Sequence, residues 1–112
     1  MAVNLVDFSA DEKAMVIAAL EVLAKAGYDT DVFDELIRVD MPPPYRAMTL
    51  AQGAALGTSA FESAEMLNHV LEEEYLHLKQ KAWGMATEFT RGSVLELELD
   101  VNDRRQFPAP GS

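Results

Sequence analysis

The strongest hydrophobic pattern in the chain runs from residue 63 to residue 83. Apolar residues recur there every three or four positions, which predicts one long amphipathic helix, and Gly84 supplies a natural C-terminal stop. We expect this central helix to pack through one apolar stripe. The members of the stripe are Leu67, Val70, Leu71, Leu78, Ala82 and Met85.

Capping signals predict a second helix near the N-terminus. Ser9 and Glu12 have the S-x-x-E spacing of a capping box, and the apolar run that follows them ends at Gly27. The next residues, VFDELI, follow possible caps at Asp29 to Asp31 and predict a short helix. Three prolines at 42–44 then exclude helix, because they remove three successive backbone donors.

Two short segments after the prolines, YRAMTL and AALGTSAF, predict a pair of strands, since Gln52-Gly53 between them favours a tight connection. The later segment VLELELDV alternates apolar and acidic residues as a strand does, yet it fits equally a helix with one acidic edge. The patterns together predict a single α+β domain over residues 1–107, with a disordered tail at 108–112. Its parts are an N-terminal helix, a small β-sheet, a long helix and an acidic C-terminal segment.

Composition narrows the classes of partner. The chain has 112 residues and a net charge of -10, and its field opposes binding to nucleic acid or to an anionic membrane. No cysteine is present, which excludes disulfides, thiolate zinc sites and thiol nucleophiles. No signal peptide or membrane span is recognisable. We therefore expect a cytoplasmic protein, or a domain delivered within a larger secreted protein, and the oligomeric state stays open.

Candidate chemistry lies on the central helix, in the stretch HVLEEEYLHLKQ that starts at His69. Glu74 falls within the apolar stripe, where a carboxylate is costly unless it is paired, hydrogen-bonded or bound to a cation. Glu73 and His77 are one helical turn apart and are neighbours on the flank of the stripe. Glu72 points away and is expected to be solvated, and His69 is too far along the helix to share an ion with His77.

The string Glu73-Glu74-x-x-His77 is one residue away from H-E-x-x-H, in which two ligands hold zinc and the glutamate acts as general base. Such a string arises readily in any acidic helix, where it is only a solvated charged face. The surrounding sequence therefore decides whether it indicates a metal site. Residues 45–80 resemble the core of small gluzincin-type zincin metallopeptidases, including the zincin-like toxin domains of bacteria. In that family a strand leads into an active-site helix that reads like TLAHELYHVQQ, and VLEEEYLHLKQ matches it in register.

The resemblance implies a metal-dependent peptidase that acts on a peptide or protein substrate. Its divalent metal would be zinc, with manganese or calcium as alternatives, because a glutamate in place of the first histidine makes the ligand set harder. Activity would be weakened or absent for the same reason. The implied residues are Glu73, His77 and Glu96 (or Glu98) as metal ligands, Asp100 behind a ligand histidine, Glu74 as general base, and Tyr75, His69 or Arg91 near the oxyanion or the substrate.

Three other functions stay open. A zincin-like domain without activity could bind an extended peptide at the edge of its sheet, for which AALGTSAF is the expected strand. Glu74-x-x-His77 also fits a ferritin-like helical bundle, in which a symmetric dimer would supply the second E-x-x-H pair. An acidic interaction protein, finally, would carry these charges only as a solvated surface.

Overall fold

The computed structural model describes residues 3–82 and 91–111. Two 3-10 turns, Thr30–Val32 and Thr58–Phe61, lie between its longer elements. The predicted α+β fold is confirmed. The strands and helices, in chain order, are β1 (Asn4–Val6), α1 (Ala10–Lys25), β2 (Glu35–Arg38), β3 (Ala47–Leu50), β4 (Gly53–Leu56), α2 (Ala64–Ala82) and α3 (Arg91–Arg104).

The four strands form one mixed sheet in the order β1-β2-β4-β3. β1 pairs with β2 and β2 pairs with β4 in parallel, whereas β3 and β4 form an antiparallel hairpin. The hairpin predicted around Gln52-Gly53 is therefore confirmed, but the second strand is shorter than predicted, because only the AAL of AALGTSAF lies in β4 and its TSAF forms a 3-10 turn. The expectation that AALGTSAF provides a free edge is wrong, because its strand, β4, lies inside the sheet with β2 on its other side. The edge strand next to it is β3.

Both long helices form where they were predicted. At the start of α1 the Ser9 hydroxyl accepts from the Glu12 amide at 3.1 Å, and the Glu12 carboxylate accepts from the Ser9 amide at 3.0 Å, which is the expected capping box. Gly27, beyond the end of α1, has a φ of 99°, a left-handed conformation that costs glycine little. At the start of α2 the Ser63 hydroxyl accepts from the Met66 amide. Gly84, the predicted stop, lies outside the described residues.

Tertiary contacts determine the secondary structure of the segments whose local pattern is ambiguous. VFDELI is not the predicted helix: Phe33 enters the core and the following residues form β2, which lies between two parallel neighbours. β1 has only three residues and carries no strand signal of its own. VLELELDV belongs to α3, since leucine and glutamate are both good helix formers and the alternation does not oppose a helix.

The helices α1 and α2 pack against each other and cover one face of the sheet. They meet it at Leu36, Ala54 and Leu56, which are all buried. α3 packs against α2 through the fully buried Val101. Two helices packed on one face of a four-stranded sheet do not form a helical bundle, so the ferritin-like alternative lacks its framework. None of the described helices is long and apolar enough to span a membrane.

Candidate functional site

The three consecutive glutamates of α2 point into three different surroundings. Glu72 is fully buried, and its carboxylate accepts from the Tyr28 hydroxyl at 2.6 Å and from the backbone amides of Gln106 and Phe107 at 2.6 and 2.9 Å. Burial and the Glu72 carboxylate raise the pKa of Tyr28 to about 12, so its hydroxyl keeps the proton that it donates. The prediction that Glu72 is solvated is wrong, because the C-terminal segment folds back over this face of α2.

Glu73 is held by two basic side chains. Its Oε1 accepts from Nη2 of Arg105 at 2.6 Å and lies 3.3 Å from Nε2 of His69. Nδ1 of His69 donates to the Phe107 carbonyl at 2.9 Å. Arg105 is incompletely bonded, since its buried Nε has no hydrogen-bond partner among the described residues. The carboxylate in the first ligand position of the E-E-x-x-H string is thus neutralised within the protein.

Glu74 is buried, as its place on the apolar stripe predicts, with 7% of its surface exposed. The hydroxyl of Thr49, on the edge strand β3, donates to Oε2 in a short hydrogen bond. Burial raises the pKa of Glu74 above its ordinary value of 4.5, while the Thr49 hydrogen bond and the nearby His77 ring oppose the rise. Glu74 is therefore a carboxyl group with increased proton affinity that contacts the edge of the sheet.

Replacing Glu74 by glutamine is expected to change the pH dependence of stability in the metal-free protein. The folded protein keeps this proton at pH values where the unfolded chain, with a pKa near 4.5, loses it. The free energy of unfolding of the wild type should therefore fall, relative to that of Glu74→Gln, as the pH rises above 4.5. Urea unfolding at a series of pH values between about 4 and 8 measures the difference. Parallel stability curves for the two proteins would contradict it.

His77 projects from α2 towards α3, and each of its ring nitrogens lies close to a polar side chain. Its Nδ1 is 2.9 Å from Oε1 of Gln80, and its Nε2 is 3.1 Å from Oε1 of Glu98. Gln80 in turn donates from Nε2 to the Leu97 carbonyl at 2.8 Å and to Oδ2 of Asp100 at 2.7 Å. One nitrogen of the ring therefore faces a buried amide, and the other faces a half-exposed carboxylate.

The helical form of α3 separates the two candidate third ligands. Residues two positions apart on a helix point about 200° apart, and here Glu98 faces His77 while Glu96 is exposed to solvent. Asp100 reaches His77 through Gln80 rather than directly. Hydrogen bonds from Gln80 and from a neighbouring arginine lower the pKa of Asp100. Of the two glutamates, Glu98 is the one that the fold brings to His77.

The remaining candidates for oxyanion or substrate contacts lie elsewhere. Tyr75 is buried in the core, where its hydroxyl accepts from the Asp29 amide at 3.2 Å. His69 faces Glu73 and the C-terminal segment. Arg91 begins α3, and its side chain lies outside the described part of the structure. The described candidates therefore pack beside the cluster around His77 rather than within it.

Three side chains of this region were not predicted from the sequence. Gln80 follows His77 by three positions and so lies on the same face of the helix, which is a signal that the sequence carries. Thr49 comes from β3 and Arg105 from the segment after α3. Only the tertiary fold brings those two to α2, and no local pattern indicates them.

A complete metal site is not assembled in the described residues. Within 3–82 and 91–111, no three histidine, aspartate or glutamate side chains lie close enough to hold an ion. His77 and Glu98 are adjacent, but Glu73 is engaged by an arginine and Glu74 by a threonine. The metal ligands named from the sequence therefore stay a prediction.

Comparison with known proteins does not identify a family. Family models, curated proteins and solved structures all gave no match to the chain. The resemblance to zincins therefore stays a prediction from the sequence.

Proposed function

We propose that the protein is a zincin-like, metal-dependent hydrolase domain whose chemistry takes place at Glu74, His77 and Glu98. The observation that carries the proposal is the 3.1 Å approach of Glu98 to Nε2 of His77. This contact joins α2, which bears the E-E-x-x-H string, to a carboxylate of α3. The zincin resemblance takes its third metal ligand from the same segment. Imidazole nitrogen and carboxylate oxygen are both ordinary ligands of zinc and manganese.

The order of the elements supports the same proposal. β4 leads into α2 through a 3-10 turn, as a strand leads into the active-site helix in the family that the sequence resembles. β3 is an edge strand and touches α2 through the hydrogen bond between Thr49 and Glu74. An extended peptide that paired with β3 would pass beside Glu74. This placement favours a peptide or an unfolded protein segment as the substrate.

The proposed ion would be held by His77 and Glu98, with Glu73 as third ligand once Arg105 releases it. The donor types fit, and the bound ion must stabilise Glu73 by more than the ion pair with Arg105 that it would replace. A bound divalent cation would supply polarisation of a carbonyl group or a water molecule. The other roles in the proposed reaction belong to side chains of the protein.

Glu74 is the proposed general base. Its burial raises its pKa, so its carboxylate takes up a proton more readily than an exposed glutamate would. The Thr49 hydroxyl bonds to Oε2 and orients the carboxylate. The other oxygen, Oε1, is the proposed acceptor of a proton from water.

Titration of zinc and of manganese into the metal-free chain, followed by calorimetry, tests the site. His77→Ala and Glu98→Gln should each weaken binding at least about tenfold, because each removes a proposed ligand. Glu96→Gln is the matched control, since it removes the same charge from the same helix at an exposed position, and it should bind as the wild type does. No binding by the wild type, or equal affinity in all four proteins, would contradict the proposed site.

A peptide-binding domain without catalysis is the second candidate, and the neutralisation of Glu73 favours it. Arg105 already pairs with that carboxylate, so Glu73 has a cationic partner without an ion. A peptide-hydrolysis assay with added zinc or manganese separates the two functions. Cleavage that disappears in Glu74→Gln supports the hydrolase, whereas ion-independent peptide binding without cleavage supports the binding domain.

A further inference from the structure

The orientation of the Gln80 side chain is defined by its partners. Gln80 is 2% exposed. One end of its amide lies 2.8 Å from the Leu97 carbonyl and 2.7 Å from Oδ2 of Asp100. A carbonyl and an ionised carboxylate only accept hydrogen bonds, so this end of the amide is the donor, Nε2. The amide oxygen, Oε1, consequently faces His77.

The same logic fixes the proton on His77. Nδ1 lies 2.9 Å from Oε1 of Gln80, and an amide oxygen only accepts, so Nδ1 must carry a hydrogen. A neutral imidazole carries one proton on its two nitrogens, which leaves Nε2 as a lone pair. That lone pair lies 3.1 Å from Oε1 of Glu98.

We infer that Gln80, anchored by Asp100, is a positioning residue that fixes neutral His77 as its Nδ1–H tautomer and presents Nε2 as a free lone pair beside Glu98. Two acceptors then face each other, and their contact becomes favourable when a proton or a cation lies between them. The role towards a cation rests on the proposed function, whereas the tautomer follows from the two contacts: the buried Gln80 oxygen, at 2.9 Å, takes the one proton of a neutral ring in preference to the half-exposed Glu98, at 3.1 Å. Because partners behind a ligand histidine set its tautomer and basicity, the Gln80 amide would tune the ion affinity without touching the ion.

Nitrogen NMR of the full chain, labelled with nitrogen-15 in histidine, tests the tautomer without any metal. The chain has 2 histidines, and a His69→Ala variant assigns them. At a pH where the rings are neutral, His77 of the wild type should show a protonated Nδ1. In Gln80→Leu the population should move towards Nε2–H, because Glu98 can accept that proton and nothing holds Nδ1–H. Gln52→Leu, at an exposed turn position, is the matched control and should leave His77 unchanged.

A zinc titration of the same variants supplies the second measurement. Gln80→Leu should bind zinc about 10- to 100-fold more weakly than the wild type, as expected when the partner behind a ligand histidine is lost. If Gln80→Leu does not fold, Asp100→Ala replaces it. That variant removes one of the two acceptors that orient the amide, so the Nδ1–H population of His77 should fall in part.

An Nε2–H tautomer in the wild type would overturn the inference, and so would an unchanged tautomer in Gln80→Leu or, if that variant does not fold, in Asp100→Ala. A tautomer that changes as expected, with no zinc bound by any protein, supports the positioning role and removes the proposed metal site. Zinc binding that is lost in His77→Ala but unaffected in Gln80→Leu overturns the positioning role and leaves the metal site standing. Failure of the inference and failure of the proposed function are therefore distinguishable.

Discussion

Glu72→Ala is expected to lower the free energy of unfolding by about 3 kcal/mol or more. Three donors lose their common acceptor at once: the Tyr28 hydroxyl and the backbone amides of Gln106 and Phe107. Each hydrogen bond to this carboxylate contributes about 1–3 kcal/mol, and the deleted side chain leaves a cavity at a fully buried position. Guanidinium unfolding followed by circular dichroism measures the loss.

Two comparison variants separate the loss of the hydrogen bonds to Glu72 from the general effects of a mutation. Tyr28→Phe removes one donor and leaves the two backbone contacts, so it should cost about 1 kcal/mol. Glu21→Ala removes an exposed helical glutamate and should change stability by less than about 0.5 kcal/mol. Amide hydrogen exchange at Gln106 and Phe107 should accelerate in Glu72→Ala alone. A Glu72→Ala protein as stable as Glu21→Ala would show that this carboxylate does not hold the C-terminal segment.

The contrast between Glu72 and Glu74 shows what a helical projection can predict. The apolar stripe of α2 correctly predicts that Glu74 is buried, because that stripe meets the sheet. The same projection assigns Glu72 to solvent, since it assumes that only one face of the helix is covered. In the structure the residues after α3 cover a second face. Nothing within α2 itself signals that second layer.

Local signals account for the parts of the fold that were predicted. The capping box at Ser9 and Glu12 defines the start of α1, and the break at Gln52-Gly53 defines the hairpin of β3 and β4. β1 and β2 are different, because each is short and gains its strand conformation from a parallel partner distant in the chain. The local pattern of VFDELI therefore wrongly indicates a helix, and no local pattern indicates β1.

In the candidate site, too, some residues are predictable from local spacing and others depend on the tertiary fold. Glu74 and His77 share one face of one helix, so their spacing alone predicts that they are neighbours. The choice between Glu96 and Glu98 needed the conformation of VLELELDV, which its alternation left open. Once that segment is a helix, only one of the two glutamates can face α2, and it is Glu98. Arg105 was beyond prediction, because its contact with Glu73 depends on the path of the chain after α3.

Gly53→Ala is expected to destabilise the protein by at least about 3 kcal/mol, more than an ordinary alanine substitution. Gly53 pairs with Glu35 in the parallel ladder between β2 and β4. A Cβ added at Gly53 would lie 1.7 Å from the backbone oxygen of Glu35. Because that atom belongs to the main chain of a paired strand, no side-chain rotation can relieve the clash, and β2 and β4 must separate. Thermal and urea unfolding of the variant measure the effect.

Gly57→Ala is the matched comparison, since it adds the same methyl group at another buried glycine just after β4. The new Cβ would meet side-chain atoms of Met41 at 3.1–3.3 Å, and a methionine side chain can shift. We expect this variant to lose less than about 1 kcal/mol. If both substitutions cost the same, the close approach of β2 to β4 at Gly53 does not limit stability. A much larger loss at Gly53 would show that this close backbone approach sets the spacing between β2 and β4, the strand that leads into α2.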